Sequence, residues 1–428
     1  MPPHADRAGP KRGRGWLIVG LLFLVQVANY ADKTVVGLAA EPIMAEFHLT
    51  PARYGIVASA FFSLYAVTGL LVAFLAAPRF RPRVIMTVLL IVWTLVQLPI
   101  VIAASFSTLV ACRVVLGMGE GAGTPTALNV AHEWFRSEDR NMPSAVILFG
   151  STAGSMMAAP VLTQIIVGFG WRAAFAACAM FGATVLVLWL TLGADGPLAA
   201  TATREQPKAK IAARLWTDRT LWGVTLVGSA AYWLTGFMVG WLALFVNSLT
   251  GDAERTAWLL SAIFAVQAVS VLGVSALSQV MLRSGRTSRV ARGAVVGVCM
   301  AASGLAFAAA AVTTVVPIRI VLIGIAMSLP APIFPLGAAM IGEVAPRSER
   351  NRAMTIIMSV LTVAAIPSSL VTGALVGSAG GWSAALLANG VVAILGAAAC
   401  FVLVDPERSA TRLAYGAEPL DIFSGAQR

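Results

Sequence analysis

Runs of about 20 consecutive apolar residues recur along the whole 428-residue chain and constrain its fold more than any other feature. A run of that length is what an α-helix needs to cross the hydrocarbon core of a bilayer. The strands of membrane β-barrels are about half as long, so the runs predict helices. Composition agrees, because 58% of the residues are hydrophobic and only 11% are charged. A soluble enzyme, a disordered protein and a transcription factor are therefore excluded.

Twelve such spans are predicted, which makes the chain an all-α membrane protein. Their bounds are 16–38, 54–77, 83–104, 106–131, 141–168, 172–193, 220–247, 256–281, 293–314, 317–341, 352–377 and 382–404.

Residues 1–31 also resemble a signal peptide, with a basic start and an apolar stretch. However, Asn29 stands where a cleavage site after Ala31 wants a small residue. We therefore expect the first span to be retained.

The basic residues predict the orientation of these helices and account for the net charge of +11. Of the 30 lysines and arginines, 24 fall in the tails and loops that would share one side of the membrane. Four fall on the opposite side. Cytoplasmic loops carry such an excess. The distribution predicts a multi-pass protein of the cell (inner) membrane with both termini cytoplasmic, and it leaves no need for a nucleic-acid partner.

The chain also divides into two halves that repeat each other. The matched landmarks are Arg113-Val114-Val115-Leu116 with Arg319-Ile320-Val321-Leu322, residues 133–140 with 343–350, and Gly170-Trp171 with Gly381-Trp382. Both copies start a span from the same side, so the repeat is parallel, as in the halves of major facilitator transporters. The predicted parts are a cytoplasmic tail (1–15), a six-helix bundle (16–193), a cytoplasmic linker (194–219), a second six-helix bundle (220–404) and a cytoplasmic tail (405–428).

Four ionisable residues are predicted near the middle of spans, namely Asp32, Lys33, Arg113 and Glu120. Each costs about 2.5–3.5 kcal/mol at the bilayer centre, so all four must face the bundle interior. They could merely pair to join two helices, but buried ion pairs stabilise less than apolar packing. Lys33 and Arg113 suit a carboxylate substrate. Asp32, rotated by about 100° from Lys33, and Glu120 are candidate proton carriers, because an incoming anion competes for their cationic partners.

Several segments carry a resemblance to a known family: Asn29-Tyr30-Ala31-Asp32-Lys33, Phe61-Phe62-Ser63-Leu64-Tyr65, Arg113-Val114-Val115-Leu116-Gly117-Met118-Gly119-Glu120-Gly121 and Gly170-Trp171-Arg172. Over residues 16–404 the chain resembles the anion:cation symporter branch of the major facilitator superfamily. The resemblance implies 12 transmembrane helices in two pseudo-symmetric six-helix bundles, and import of organic anions with protons. The family usually has arginine at Lys33, and its loop signature is altered here at Pro78 and Arg81.

Polar side chains in other spans are further candidates for binding substrate. Tyr65 matches the family's tyrosine in the second helix, Asn29 lies one turn before Lys33, and Ser151 lies in the fifth span. For Tyr65 and Ser151, helix packing is the alternative. Weaker candidates are Thr152, Ser155, Tyr232, Trp233, Asn247, Gln267, Ser359 and Thr362.

The leading hypothesis is a secondary active transporter that imports a small organic carboxylate by proton symport with alternating access. Its substrate-binding residues would be Lys33, Arg113, Tyr65, Asn29 and Ser151, and its proton-coupling residues Asp32 and Glu120. A proton-coupled exporter of drugs or metabolites is the alternative, although Pro160 is displaced from the exporters' helix-five motif. A membrane sensor or intramembrane enzyme is a third class.

Two missing motifs narrow these classes. The sequence contains neither a phosphate-binding P-loop nor a His-Glu-x-x-His motif. We therefore predict no enzyme, no cofactor and no metal. The expected partners are the anion, the proton and the lipid bilayer. The pattern leaves the anion unidentified and does not separate a dimer from the expected monomer.

The distribution of basic residues yields a topological prediction. A cysteine placed at Ala202 in the linker should react with a membrane-impermeant thiol reagent only after the membrane has been opened. Labelling of that cysteine on intact cells would overturn the orientation.

Overall fold

The computed structural model describes residues 11–102, 105–136, 139–198, 213–346 and 349–415. Within these ranges the regular elements are helical. Most of the predicted linker, including Ala202, lies outside the described residues, as do most of the N-terminal tail and the end of the C-terminal tail. The exact bounds of the predicted domains therefore stay a prediction.

Twelve crossings follow one another in the described chain. They are α1 (Gly13–Leu38), α2 (Pro51–Ala76), α3 (Pro82–Val101), α4 (Phe106–Glu120 with Gly123–His132), α5 (Asn141–Phe169), α6 (Trp171–Leu192), α7 (Arg219–Gly240), α8 (Ala253–Arg283), α9 (Arg289–Val312), α10 (Val316–Val344), α11 (Arg352–Val376) and α12 (Gly381–Leu403). Eleven are single helices or spans long and apolar enough to cross a membrane. The exception is α4, whose two segments, separated at Gly121 and Ala122, are each too short to cross alone. The helices α10 and α11 are also interrupted, after Ser328 and after Thr362. The predicted multi-pass, all-α architecture is confirmed.

The same helix pairings occur in both halves. In the first half α1 packs on α5, α2 on α4, and α3 on α6. In the second half the corresponding pairs are α7 with α11, α8 with α10, and α9 with α12. The repeat extends to the backbone, since Gly170 and Gly381, which precede or begin α6 and α12, have positive φ angles of 85° and 51°. The chain thus forms two pseudo-symmetric six-helix bundles.

Several contacts between the two bundles lie on the side opposite the chain termini. The Tyr54 hydroxyl of α2 lies 2.9 Å from the carbonyl oxygen of Val36 and 3.1 Å from that of Gly240 in the other bundle. Beyond α7, in the short helix Leu242–Thr250, Asn247 donates a hydrogen bond of 2.8 Å to Glu41. These contacts join the bundles above the cavity described below.

Glycines in α4 let its backbone touch the backbone of α2. A Cβ atom at Gly117 would lie 1.8 Å from the carbonyl oxygen of Phe61, and one at Gly121 would lie 2.1 Å from that of Tyr65. Real Cβ atoms do not approach so closely, so only glycine fits at either position. Small residues serve this purpose at membrane helix contacts. The contact fixes the position of Glu120, which lies between the two glycines.

This contact generates a stability prediction. Gly117→Ala should overpack the α2–α4 contact and cost about 1–3 kcal/mol or more. Gly20→Ala is the matched control, because nothing lies within 4 Å of a Cβ at Gly20 and alanine favours helix. The thermal midpoint of purified protein in detergent should fall only for Gly117→Ala. Equal midpoints for the two variants would refute the close contact.

Candidate functional site

One face of α1 carries the polar side chains that begin the site. Gln26, Asn29 and Lys33 are buried, and Tyr30 is half-buried beside them. Their spacing of three or four residues places them on successive turns of one helix face. The Lys33 Nζ atom donates a hydrogen bond of 2.5 Å to Asn29 Oδ1 one turn earlier.

Lys33 also forms an ion pair with Glu120 across the α1–α4 contact. Its Nζ atom lies 3.4 Å from Glu120 Oε2, and the Glu120 side chain is fully buried. Glu120 is the last residue of the first segment of α4, at the break in that helix. A carboxylate and an ammonium group withdrawn from water compensate one another here. Any anion that binds Lys33 must therefore compete with Glu120.

Three aromatic rings surround the Lys33 ammonium group. The Nζ atom lies 4.3 Å from the ring centre of Tyr30, 5.3 Å from that of Tyr65 and 5.8 Å from that of Phe61. Aromatic faces attract cations, and more strongly where water is excluded. The rings thus help to hold a full positive charge inside the bundle.

Arg113 approaches the same Phe61 ring but has no comparable compensation. Its guanidinium carbon lies 4.9 Å from the ring centre. The residue is fully buried, and none of its side-chain nitrogen atoms has a hydrogen-bond partner among the described residues. A buried cation without partners is costly. The donors of Arg113, two helical turns from Glu120, are therefore unused among the described residues in this conformation.

Asp32 lies on another side of α1, inside the first bundle, where it still interacts electrostatically with Lys33, Arg113 and Glu120. Its neighbours are the side chains of Gln97 in α3 and Cys178 in α6. Asp32 is buried and does not line the cavity that Lys33 faces. Adjacent residues on α1 thus point to different surroundings, as the rotation of about 100° per residue requires.

A cavity of about 70 Å³ lies where the two bundles meet, between α1, α2 and α5 on one side and α7 and α8 on the other. That volume has room for about five water molecules. Of the seven principal candidates from the sequence, Lys33 and Tyr65 line it. Asn29, Arg113, Glu120, Asp32 and Ser151 do not line the cavity in this conformation.

Serines of α5 divide between the cavity and helix packing. Ser155 lines the cavity, whereas Ser151, one turn earlier, accepts a hydrogen bond of 3.0 Å from Gln26 Nε2. The same amide group lies 3.0 Å from Thr124 Oγ1 of α4. Gln26 thus links three helices of the first bundle. Sequence reasoning missed it, although its position seven residues before Lys33 is a usable signal.

In the second bundle, Tyr232 lines the cavity and two other candidates are engaged elsewhere. Trp233 Nε1 donates a hydrogen bond of 3.0 Å to Asn389 Oδ1. Gln267 Nε2 donates one of 3.1 Å to the carbonyl oxygen of Met327. Both bonds join helices within the bundle.

Comparison with known proteins identifies the class. The model of the Major Facilitator Superfamily matches residues 22–333 and 287–426, so the chain belongs to that superfamily. It is accordingly a membrane transporter and not an enzyme. A solved bacterial homologue of the human lysosomal transporter Spinster superposes with a TM-score of 0.78 at 18% identity. The superposition covers 95% of this chain and 98% of that one.

Two relatives carry named transport activities. The chain is 27% identical over 303 residues to a probable sulfoacetate transporter of Cupriavidus necator, covering 67% of this chain and 70% of the relative. It is 23% identical over 434 residues to a probable galactarate/D-glucarate transporter of Bacillus subtilis, covering 93% of this chain and 94% of the relative.

Proposed function

We propose that this transporter imports a small organic carboxylate together with protons, by alternating access. The observation that carries the proposal is the buried group of Lys33, Glu120 and Arg113 beside a cavity at the junction of the bundles. The names of the two relatives support an organic anion as substrate. The displaced Pro160 favours import over export, and the basic loops favour a cell-membrane protein with cytoplasmic termini.

Recognition of the anion rests on the two cations. Lys33 presents a point charge to the cavity, and the Tyr65 side chain lines the cavity beside it. Arg113 has a planar fork that matches a carboxylate with two parallel hydrogen bonds. In this conformation the Phe61 ring lies against both cations. We propose that Arg113 joins the binding site when α2 and α4 move during the transport cycle.

Coupling follows from competition for Lys33. The substrate carboxylate and Glu120 both require the same ammonium group. When substrate takes that group, an ionised Glu120 would stay buried without its partner, which is costly. Proton uptake by Glu120 removes the cost. By linkage, protonation of Glu120 must then raise the affinity for the anion by the same factor.

Asp32 is proposed as a second participant with a separate role. It lies next to Gln97 and Cys178, out of reach of a substrate in the cavity. From there it can take up a proton, or it can orient α1 and hence the adjacent Lys33. Asn29 and Ser151 are proposed to act through the residues they contact, Lys33 and Gln26.

The recognition proposal predicts the effect of changing each cation. Arg113→Ala should nearly abolish substrate binding, and Arg113→Lys should recover only part, because the fork is lost. Lys33→Arg should be tolerated, because it keeps the charge and introduces the residue that the resembled family usually has at this position. A thermal-shift assay of each purified variant with a panel of carboxylates measures these effects, because a bound ligand raises the unfolding temperature. Transport by Arg113→Ala with an unchanged half-saturation concentration would disprove the role of Arg113.

The coupling proposal predicts that Glu120→Gln separates exchange from accumulation. Glutamine imitates the protonated side chain, so the variant should bind the anion and exchange it across proteoliposome membranes. It should lose uptake driven by an imposed pH gradient. Asp32→Asn should show a similar or milder defect.

Counterflow and gradient-driven uptake measured on the same proteoliposome preparation decide the question. Counterflow serves as the internal control, because it requires a folded and mobile transporter but no net proton movement. If Glu120→Gln still concentrates substrate on a pH gradient, Glu120 has no coupling role and Asp32 becomes the candidate.

A further inference from the structure

We propose that the carried anion is a compact monocarboxylate with an apolar body, in preference to a polyhydroxylated or dicarboxylic acid. This inference rests on the proposed function and narrows its substrate class. The observation behind it is a contrast between the two walls of the cavity. The first bundle supplies a cation and most of the hydroxyl groups, and the second supplies a mostly apolar surface.

The wall formed by the first bundle is suited to a single carboxylate. Lys33 is flanked there by the side chains of Tyr30, Tyr65 and Ser155. A carboxylate accepts hydrogen bonds from ammonium and hydroxyl groups alike. Thr34 also lines the wall, but its hydroxyl donates to the carbonyl oxygen of Tyr30 at 2.8 Å and is already used.

The wall formed by the second bundle is mostly apolar. It includes Met238 and Val239 of α7 and Leu260 and Phe264 of α8. Thr235 is also present, but its hydroxyl donates to the carbonyl oxygen of Ala231 at 3.0 Å within α7. The oxygen atoms of Thr235 and Tyr232 are the side-chain hydrogen-bonding groups of this wall, and a substrate hydroxyl beyond their reach loses water without gaining a partner, which is unfavourable.

Two other polar side chains of the second bundle, Gln267 and Asn389, form hydrogen bonds within that bundle. Gln267 donates to the carbonyl oxygen of Met327 and to the sulfur atom of Met238. Asn389 accepts from Trp233 and donates to the carbonyl oxygen of Ala385 at 2.8 Å. Tyr232 also lines the cavity and contributes a hydroxyl group to this wall. The wall therefore offers little to the hydroxyl groups of a sugar acid.

A second carboxylate would also lack a cation in this bundle. Among the described residues that line the cavity, Lys33 is the one lysine or arginine. Arg319 of α10 is elsewhere, with its Nε donating to the carbonyl oxygen of Ala310 at 2.9 Å. In this conformation, in which Arg113 lies against Phe61 and outside the cavity lining, a dicarboxylate would thus place an unpaired negative charge against apolar side chains, which is costly.

Three six-membered-ring acids separate the alternatives by calorimetric titration of the full chain in detergent. Cyclohexanecarboxylate has one carboxylate and no hydroxyls, D-glucuronate adds hydroxyls, and trans-1,4-cyclohexanedicarboxylate adds a second carboxylate. We expect the dissociation constant of cyclohexanecarboxylate to be at least about tenfold lower than that of either other acid. Lys33→Gln should abolish its binding, which distinguishes the site from partition into detergent.

A pair of matched variants tests the apolar wall itself. Leu260→Ser alters the wall, whereas Leu272→Ser makes the same change on α8 at a side chain that is 71% exposed and outside the cavity. Leu260→Ser should narrow the preference for cyclohexanecarboxylate over D-glucuronate several-fold. Leu272→Ser should leave that ratio unchanged.

The outcomes separate this inference from the proposed function. Equal or tighter binding of D-glucuronate or of the dicarboxylate, dependent on Lys33, would overturn the inference and leave anion transport standing. Binding of none of the three acids, with wild type and Lys33→Gln indistinguishable, would count against both. A Leu260→Ser protein with an unchanged preference would show that the wall does not select the substrate.

Discussion

A charge inside a lipid bilayer must find its compensation within the protein, and the first bundle is arranged around that requirement. Lys33 obtains it from Glu120, from Asn29 and from three aromatic rings. Arg113 has one ring and no hydrogen-bond partner among the described residues. The two cations are therefore unequal. One is held firmly by a carboxylate that an anion can displace, and the other has its donors unused. This difference favours a site in which the cations exchange a carboxylate partner for a bound anion, over a site of permanent ion pairs.

The exchange depends on how closely α4 approaches α2. Gly117 and Gly121 remove the side chains that would separate the two backbones, so the carbonyl groups of Phe61 and Tyr65 contact α4 directly. Glu120 lies between these glycines, at the point where α4 breaks. The break and the contact together bring its carboxylate under Lys33 of α1. Packing of these glycines against the α2 backbone thus sets the distance between Glu120 and Lys33. A methyl group at Gly117 would disturb both the packing and that distance.

Much of this arrangement is predictable from the sequence, and the remainder depends on relations between helices. Span length and loop charge predict the crossings, and helix periodicity predicts that Asp32 and Lys33 point to different surroundings. Periodicity does not predict that Ser155 lines the cavity while Ser151 bonds Gln26, because one helical turn decides between them. Nor does it place Arg113 behind Phe61, since that position depends on the conformation of two helices together. The glycine-rich stretch around Glu120 reads as one apolar run, so the break in α4 is also missed.

The two bundles divide the proposed work of recognition unequally. Asp32, Lys33, Arg113 and Glu120 all belong to the first bundle, and as two acids and two bases their formal charges sum to zero. A monocarboxylate that enters alone would leave this buried group with one uncompensated negative charge. One proton on a carboxyl group restores neutrality, so movement of the two together avoids the largest desolvation cost. A dicarboxylate would require a second proton, or a cation from the second bundle, where the cavity wall is formed mainly by Met238, Val239, Leu260 and Phe264. Charge balance and the apolar wall therefore favour the same substrate class for independent reasons.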